Sequence, residues 1–400
     1  MKKYKYQIIS FCTAIVVIVC FFFANQIWHK NDNRTIKAGF IYIGDGANPY
    51  TKNFMQAQKD IEETYGDRVT CIAKYNITVG LEDQYIQELL DEGCDIIFGT
   101  SYDYAPAMKE FAEKNPDTVF CQATGYNASE DPVLSNYHTY MGHIYEGRYT
   151  AGVVAGMKIT EMIQEGLISD DEALVGYVAA YPYAEVISGY TAFLMGVRST
   201  CPSAHMKIKY SNTWSNYTTE KNLAKELIDE GCVLISQHSD TTGSSVACEE
   251  AQKSYPVYHI SYNQSMKNVA PTTSLTGCRI DWSSYEVTAI GALLENKTIE
   301  SALSRQVTLN GLDAGAGFAD GWVEMLELNE AIAPKGAQQA IDDCIKGFQN
   351  GSIHVFSGDY TGTDPFDKND TIDLSEEYKE NETSSSPQFH YVLDDVIEVE

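Results

Sequence analysis

Glu88-Leu-Leu-Asp-Glu-Gly-Cys-Asp-Ile-Ile-Phe-Gly-Thr-Ser101 and Glu226-Leu-Ile-Asp-Glu-Gly-Cys-Val-Leu-Ile-Ser-Gln-His-Ser239 are two versions of one phrase, set 138 residues apart. Each reads as the end of a helix stopped by glycine, then a buried strand that delivers polar residues to a loop. Around each copy, short β-branched runs alternate with amphipathic helical text, the pattern of parallel α/β layers. Strands are predicted at 37–43, 69–75, 95–99 and 118–121, with helices at 50–65, 81–92 and 105–113. A longer helix over 143–165 leads into a second series. There, strands at 174–179, 206–210, 233–237 and 257–261 alternate with helices at 184–200, 219–230 and 244–253.

The repeat and the length of 400 residues both ask for two lobes, since one core seldom grows that large. Because each strand series must return across a hinge, the first lobe is expected at 36–139 plus 274–310 and the second at 140–273 plus 311–400. From Gly358 the text turns to Asp, Thr, Glu and Ser; the last alternating stretch, 389–399, reads equally as a returning strand or a solvated tail.

A 44% hydrophobic share with 21% charged residues is ordinary for a folded body, and the net charge of −28 excludes nucleic-acid binding, which needs clustered cations. At the N-terminus Lys2, Lys3 and Lys5 precede an apolar run from Ile8 to Ala24, which predicts export of everything after it. No small-x-small cleavage pattern follows, so an uncleaved membrane anchor over 1–30 is expected; lipidation at Cys20 and cleavage are the alternatives. The ten cysteines form no CxxC and have no histidine at ligand spacing, which points to buried thiols rather than a metal or redox centre.

No catalytic motif rises: there is no GxSxG, GxxxxGK[ST] or HExxH, and Gly315, Gly317 and Gly321 lack the spacing of a dinucleotide fingerprint. No cofactor is implied. What is enriched is aromatic and amide text at strand ends, where open parallel sheets bind ligands. The first series offers Asp45, Asn48 and Tyr50, then Ser101 and Tyr102, then Thr124 and Tyr126; the second offers Tyr181, Trp214, His238, Asp240 and Asn263. Asp281 and Trp282 follow the next strand-like run. Flat rings alternating with Asp, Asn, Ser and Thr suit a planar, hydrogen-bonding small molecule, with Tyr50 and Tyr181 sandwiching it from opposite lobes.

The chain resembles the basic membrane protein family of substrate-binding lipoproteins, which serve ABC importers of purine nucleosides or related purines. The resemblance runs from Ala38 to about Ile299. It rests on Gly44-Asp45, Ala123-Thr-Gly-Tyr126, Tyr145-Glu-Gly-Arg-Tyr-Thr-Ala-Gly-Val-Val-Ala-Gly156, Gly176-Tyr-Val-Ala-Ala-Tyr-Pro-Tyr-Ala-Glu-Val-Ile187, Asn212-Thr-Trp214 and Gln237-His-Ser-Asp240. It implies a periplasmic-binding-protein type I fold, an extracytoplasmic place at the membrane and an ABC permease as partner. It also implies capture of a purine nucleoside or base rather than turnover. A membrane-anchored sensor or regulator of the same fold is the alternative. Two positions depart from the family's nucleoside binders: where an acid and a lysine grip ribose, this chain resembles them with Asn263 and Ile280. Asn48 also stands where a similar branch has an aromatic residue. A free purine base, or another small polar ligand, therefore stays open.

Overall fold

The computed structural model describes residues 34–304 and 307–400; the Ile8–Ala24 run and Cys20 lie outside the described residues. The chain begins β1 (Ile36–Ile41), α1 (Pro49–Tyr65), β2 (Val69–Lys74), α2 (Glu82–Asp91), β3 (Ile96–Gly99), α3 (Ala105–Lys114), β4 (Val119–Ala123) and β5 (Tyr137–Gly142). It continues through α4 (Ile144–Gln164), β6 (Leu174–Ala179), α5 (Ala184–Thr200), β7 (His205–Tyr210), α6 (Tyr217–Asp229), β8 (Leu234–His238), α7 (Gly243–Ala251), β9 (Tyr258–Tyr262) and β10 (Ser274–Ile280). Then come α8 (Ser283–Leu294), α9 (Ile299–Ala302), β11 (Thr308–Asn310), β12 (Asp313–Ala316), β13 (Val323–Met325), α10 (Ala337–Gln349), β14 (Thr361–Thr363), β15 (Thr371–Asp373), β16 (Val392–Leu393) and β17 (Ile397–Val399).

Two seven-stranded sheets carry the body, in the orders β11-β12-β5-β4-β3-β1-β2 and β13-β10-β9-β8-β6-β7-β17. Five strands of one match five of the other: β2-β1-β3-β4-β5 and β7-β6-β8-β9-β10 follow the same path. The repeated phrase explains why. Gly93 and Gly231 take positive φ of 76° and 99° just past α2 and α6, where a side chain would be strained. The Cys94 and Cys232 N–H groups reach back to the Leu89 and Leu227 carbonyls at 3.1 and 3.0 Å, the wider of the two bonds of a Schellman cap. Each cap then seats its helix on the leading strand of its sheet. A Cβ on Gly39 would meet the Leu89 side chain at 2.9 Å and Cys94 Sγ at 3.1 Å; on Gly176 it would meet Leu227 Cβ at 3.0 Å and Cys232 Sγ at 3.2 Å. The echo in sequence is a repeated packing joint.

The lobe boundaries differ from the expected ones. Ser274–Ile280, expected in the first lobe, pairs in parallel with β9 and is the fifth strand of the second sheet. The Asp313–Ala316 run, expected in the second lobe, pairs with β5 in the first. The chain therefore crosses after Gly142, after Ile280 and between Ala316 and Val323. The reason is that each crossing leaves from the carboxyl end of a finished strand, whereas the expectation cut ahead of it. The tail takes the first of its readings, the returning strand, rather than that of a solvated tail. Ile397–Val399 returns as a parallel edge strand on β7, while β14, β15 and β16 form a small sheet of their own. Eight described cysteines are free thiols, seven of them buried. Among the described residues no helix is long and apolar enough to cross a membrane.

Burial of one carboxyl gives a pH prediction. Glu286 of α8 is fully buried and accepts the Tyr140 hydroxyl at 2.7 Å. Burial, with nearby Asp281 adding repulsion, raises its carboxyl to about 8. From its ordinary range up to that value the folded protein holds a proton that the unfolded chain releases, so stability falls as pH rises, by at most about 1.4 kcal/mol per pH unit. Glu286→Gln, neutral at every pH, should melt several degrees above wild type at pH 8.5 and close to it at pH 4.5. Parallel melting curves across that range would show the idea to be wrong.

Candidate functional site

The carboxyl ends of the strands from both sheets face a cleft between the lobes. At its floor lies a narrow cavity of about 20 Å³, lined by Ile43, Tyr50, Ser101, Tyr102 and Thr124 from the first lobe and Glu185, Trp214, His238, Asp240 and Tyr262 from the second. Above it a wider, wetter cleft is lined by Asp45, Asn48, Asp103, Tyr181, Trp214 and Asp240, among others.

Local chemistry sets these positions. Asn48 caps α1, accepting the Thr51 N–H at 2.8 Å, and Pro49 follows in the first turn, where a missing N–H costs nothing. This aims Tyr50 inward, its hydroxyl donating to the Thr100 carbonyl at 2.6 Å. Thr124 takes a positive φ of 54° directly after β4, turning its short side chain at the cavity wall. On the other side β8 ends in His238, and the Asp240 N–H donates to the Trp214 carbonyl at 2.8 Å, so the two loops that carry ring and acid are tied together.

The lobes touch across the cleft. The Trp214 indole N–H donates to Asp103 at 3.2 Å, and the Asn48 amide donates to the Ser215 hydroxyl at 3.3 Å. The Tyr102 and Tyr183 rings stack with centroids 5.4 Å apart. The arrangement is that of a closed clamp.

The charges at the floor are unusual. Burial pushes the Asp240 carboxyl well above its ordinary range, and Glu220 and Glu185 add repulsion. Burial, helped by the Arg148 guanidinium, holds His238 down to about 4, so its ring is neutral near pH 7. Arg148 lies beneath the floor, donating to the Gln237 carbonyl at 2.8 Å with its guanidinium carbon 3.6 Å from the Tyr262 ring centroid. The site thus combines four aromatic rings, two acids and a neutral imidazole. It can grip a flat molecule by its faces and accept N–H groups at its edge, and it lacks a nucleophile poised beside a base.

Seven of the sequence-predicted residues meet at the inner cavity: Tyr50, Ser101, Tyr102, Thr124, Trp214, His238 and Asp240. Asp45, Asn48 and Tyr181 line the outer cleft instead. The Asp45 carboxylate is occupied by the Ala47 N–H at 2.9 Å and the Asn76 amide at 3.3 Å, donors that lower its pKa. Tyr181 stacks on Tyr183 at 5.1 Å and meets Trp214 edge-on, so it does not face Tyr50; Trp214, Tyr102 and Tyr262 are the rings that share Tyr50's cavity. Tyr126 borders a side opening with Tyr102, Tyr183, Glu185 and the tail residues Ser386–Gln388.

Three candidates stand away from the walls. Trp282 is core, stacked on Phe54 at 4.3 Å, because the crossing after β10 plants it under α1. Asp281 starts α8, accepting the Ser283 N–H and Ser284 hydroxyl at 3.1 Å each. Asn263 is buried at a positive φ of 65° and lines neither the inner cavity nor the outer cleft. The sequence reading missed Ile43, Glu185 and Tyr262. Glu185 lies inside the quoted 176–187 stretch but reads as a helix-start acid, and Tyr262 lies between the predicted 257–261 strand and Asn263, where the observed strand runs one residue further.

Two sheets of one topology, three crossings and a cleft lined from both sides define a two-lobed, periplasmic-binding-protein type I solute-binding protein. Over residues 43–342 the chain matches the family described as ABC transporter substrate-binding protein, PnrA-like, and it belongs to that family. It is 28% identical over 326 residues to a purine-binding protein of Brucella abortus, covering 81% of this chain and 83% of that one. It is 31% identical over 295 residues to a provisionally named ABC transporter glucose-binding protein of Haloferax volcanii, covering 73% and 68%. Among solved structures it is similar to an ABC transporter solute-binding protein of Aeropyrum pernix, with a TM-score of 0.63 at 14% identity, covering 80% of this chain and 92% of that one. A small-molecule ligand and a permease partner follow from the family, whose members are extracytoplasmic.

Proposed function

We propose that this protein captures a free purine base outside the cytoplasm and delivers it to an ABC permease while tethered to the membrane by its N-terminal segment. The observation that carries the reading is the composition of the inner cavity. Tyr50, Tyr102, Trp214 and Tyr262 offer ring faces, and Asp240, Glu185 and His238 offer polar edges. A heterocycle with N–H groups satisfies both sets at once, whereas a sugar would leave most of the ring area without a flat partner. Where the family's nucleoside binders are expected to carry a ribose-gripping lysine, this chain has Ile280, a core residue away from the cavity lining, which favours a base over a nucleoside. The name of the Brucella relative supports the purine class.

Calorimetry on detergent-solubilised full-length protein, titrated with adenine, hypoxanthine, guanine, adenosine and glucose, tests it. One site for at least one base is expected, with adenosine at least about tenfold weaker and no heat from glucose. Tighter binding of adenosine or glucose than of every base would overturn the assignment.

A further inference from the structure

The three-stranded tail sheet lies beyond the 43–342 stretch matched by the family, and it gathers a second set of polar groups. Asp364 and Asp370 flank the turn between β14 and β15, and His390 lies just ahead of β16. The antiparallel pairing of β14 with both neighbours brings the three side chains together, with one ligand atom from each lying within 4.8 Å of the other two.

The histidine's geometry asks for a cation. Its Nδ1 faces the Gln388 carbonyl at 2.8 Å, so in the neutral ring Nδ1 carries the proton and Nε2 presents a lone pair. That lone pair points at Asp370 Oδ2, 3.4 Å away, and Asp364 Oδ2, 3.6 Å away. Three acceptors facing one another repel unless something positive sits among them. A protonated imidazole is one answer, but a charge-assisted N–H···O bond closes to about 2.7–2.9 Å. The two separations from Nε2 instead match the edge of a tetrahedron whose bonds to nitrogen and oxygen are about 2.0–2.2 Å, which is roughly 3.3–3.6 Å.

The remaining oxygens are already positioned. Asp364 Oδ1 accepts the Phe366 and Asp367 N–H groups at 2.6 and 3.2 Å, and Asp370 Oδ1 accepts the Tyr391 hydroxyl at 3.0 Å. Each ligand therefore has an outer partner that fixes its orientation, as bound metals require.

We propose that Asp364, Asp370 and His390 bind one divalent transition-metal ion of the Zn²⁺ type, with water at the fourth position. An imidazole nitrogen in the set selects such ions over Mg²⁺ and Ca²⁺, which favour oxygen ligands throughout. The placement gives the ion a structural task. The segment just before His390 fastens both lobes: the Ser385 N–H donates to Asp313 of the first sheet at 2.7 Å, and Glu380 accepts the Ser188 hydroxyl of α5 at 2.7 Å. The metal anchors the far end of that strap.

Full-length protein in detergent, stripped with chelator and titrated with Zn²⁺, tests the site. One equivalent should bind and raise the melting temperature, and Co²⁺ should give the visible absorption of a tetrahedral centre. His390→Ala and Asp370→Asn should each weaken binding tenfold or more, and Tyr391→Phe about tenfold through loss of positioning. His354→Ala, in the separate His354–Glu377 pair at 2.7 Å, should bind as wild type. Melting in chelator shows whether each variant still folds. No stoichiometric Zn²⁺ binding by wild type overturns the proposal. So does wild-type affinity in folded His390→Ala and Asp370→Asn, or Ca²⁺ binding as tightly as Zn²⁺.

Discussion

Asp240→Ala is expected to weaken capture of the base by about 10- to 100-fold while leaving the ligand-free melting temperature unchanged or slightly higher. Asp240 borders both the inner cavity and the outer cleft, so its carboxylate meets the edge of whatever passes between them. A hydrogen bond to a charged acceptor contributes about 1.5–3 kcal/mol, which is roughly 10- to 150-fold in affinity. The effect on stability has the other sign. Burial, Glu220 and Glu185 raise this carboxyl, so above the ordinary carboxylate range its ionisation opposes folding, increasingly as pH rises. Removing it relieves that opposition near pH 7. Bound ligand N–H groups favour the ionised form, so binding should release protons and strengthen as pH rises through the free protein's Asp240 pKa. Asp240→Asn should lose this pH dependence and keep the cavity's shape. Should Asp240→Ala bind like wild type in calorimetry, the acid is a bystander and the ligand's edge lies elsewhere. A fall in the ligand-free melting temperature by many degrees would instead assign the lost binding to unfolding.

The architecture was legible because its cause is local and repeated. The Gly93 and Gly231 caps and the cysteine after each recur at an offset of 138 residues, and Gly39 and Gly176, the glycines those helices pack upon, at 137, so one joint read twice declares two lobes. The site was legible only to the level of loops. Strand ends told which loops converge, yet alternation within a loop decides which neighbour faces the ligand. At β9 the cavity is lined by Tyr262, whereas Asn263, one residue on, is buried at positive φ and is not among the lining residues. Trp282 shows the converse: an aromatic residue after a strand resembles a stacking residue in sequence, but a hinge crossing carries it into the core of the other lobe. Glu185 was hidden because an acid in a helix's first turn has a sufficient local reason to be there. Lobe boundaries failed for a similar reason, since nothing within 274–280 distinguishes a first-lobe strand from a second-lobe one until its pairing with β9 is known.

Gly152→Leu and Gly196→Leu are expected to be the most destabilising single changes in the second lobe, each lowering the melting temperature by ten degrees or more or preventing folding. Helices α4 and α5 cross so closely that their backbones meet. A Cβ on Gly152 would stand 2.1 Å from the Phe193 carbonyl oxygen, and one on Gly196 would stand 2.0 Å from that of Tyr149. Side chains elsewhere can turn aside from an intruding methyl, but a helix carbonyl cannot, so the helices must separate. Overpacking of this kind costs about 1–3 kcal/mol where neighbours can yield, and more where they are backbone. Separation would also reach the cleft. Helix α4 carries Arg148, which stacks on Tyr262 in the cavity wall, and α5 carries Glu185 at its first turn. Gly152→Ala, the milder change, should therefore weaken base binding even in protein that remains folded. As a control, Gly351→Ala meets no atom within 4 Å but sits at a positive φ of 71°, so it should cost only about 1 kcal/mol of backbone strain and leave binding intact. Equal melting temperatures for Gly152→Leu, Gly196→Leu and wild type would mean that the two helices do not meet backbone to backbone, and the path from helix packing to the cavity wall would fall with it.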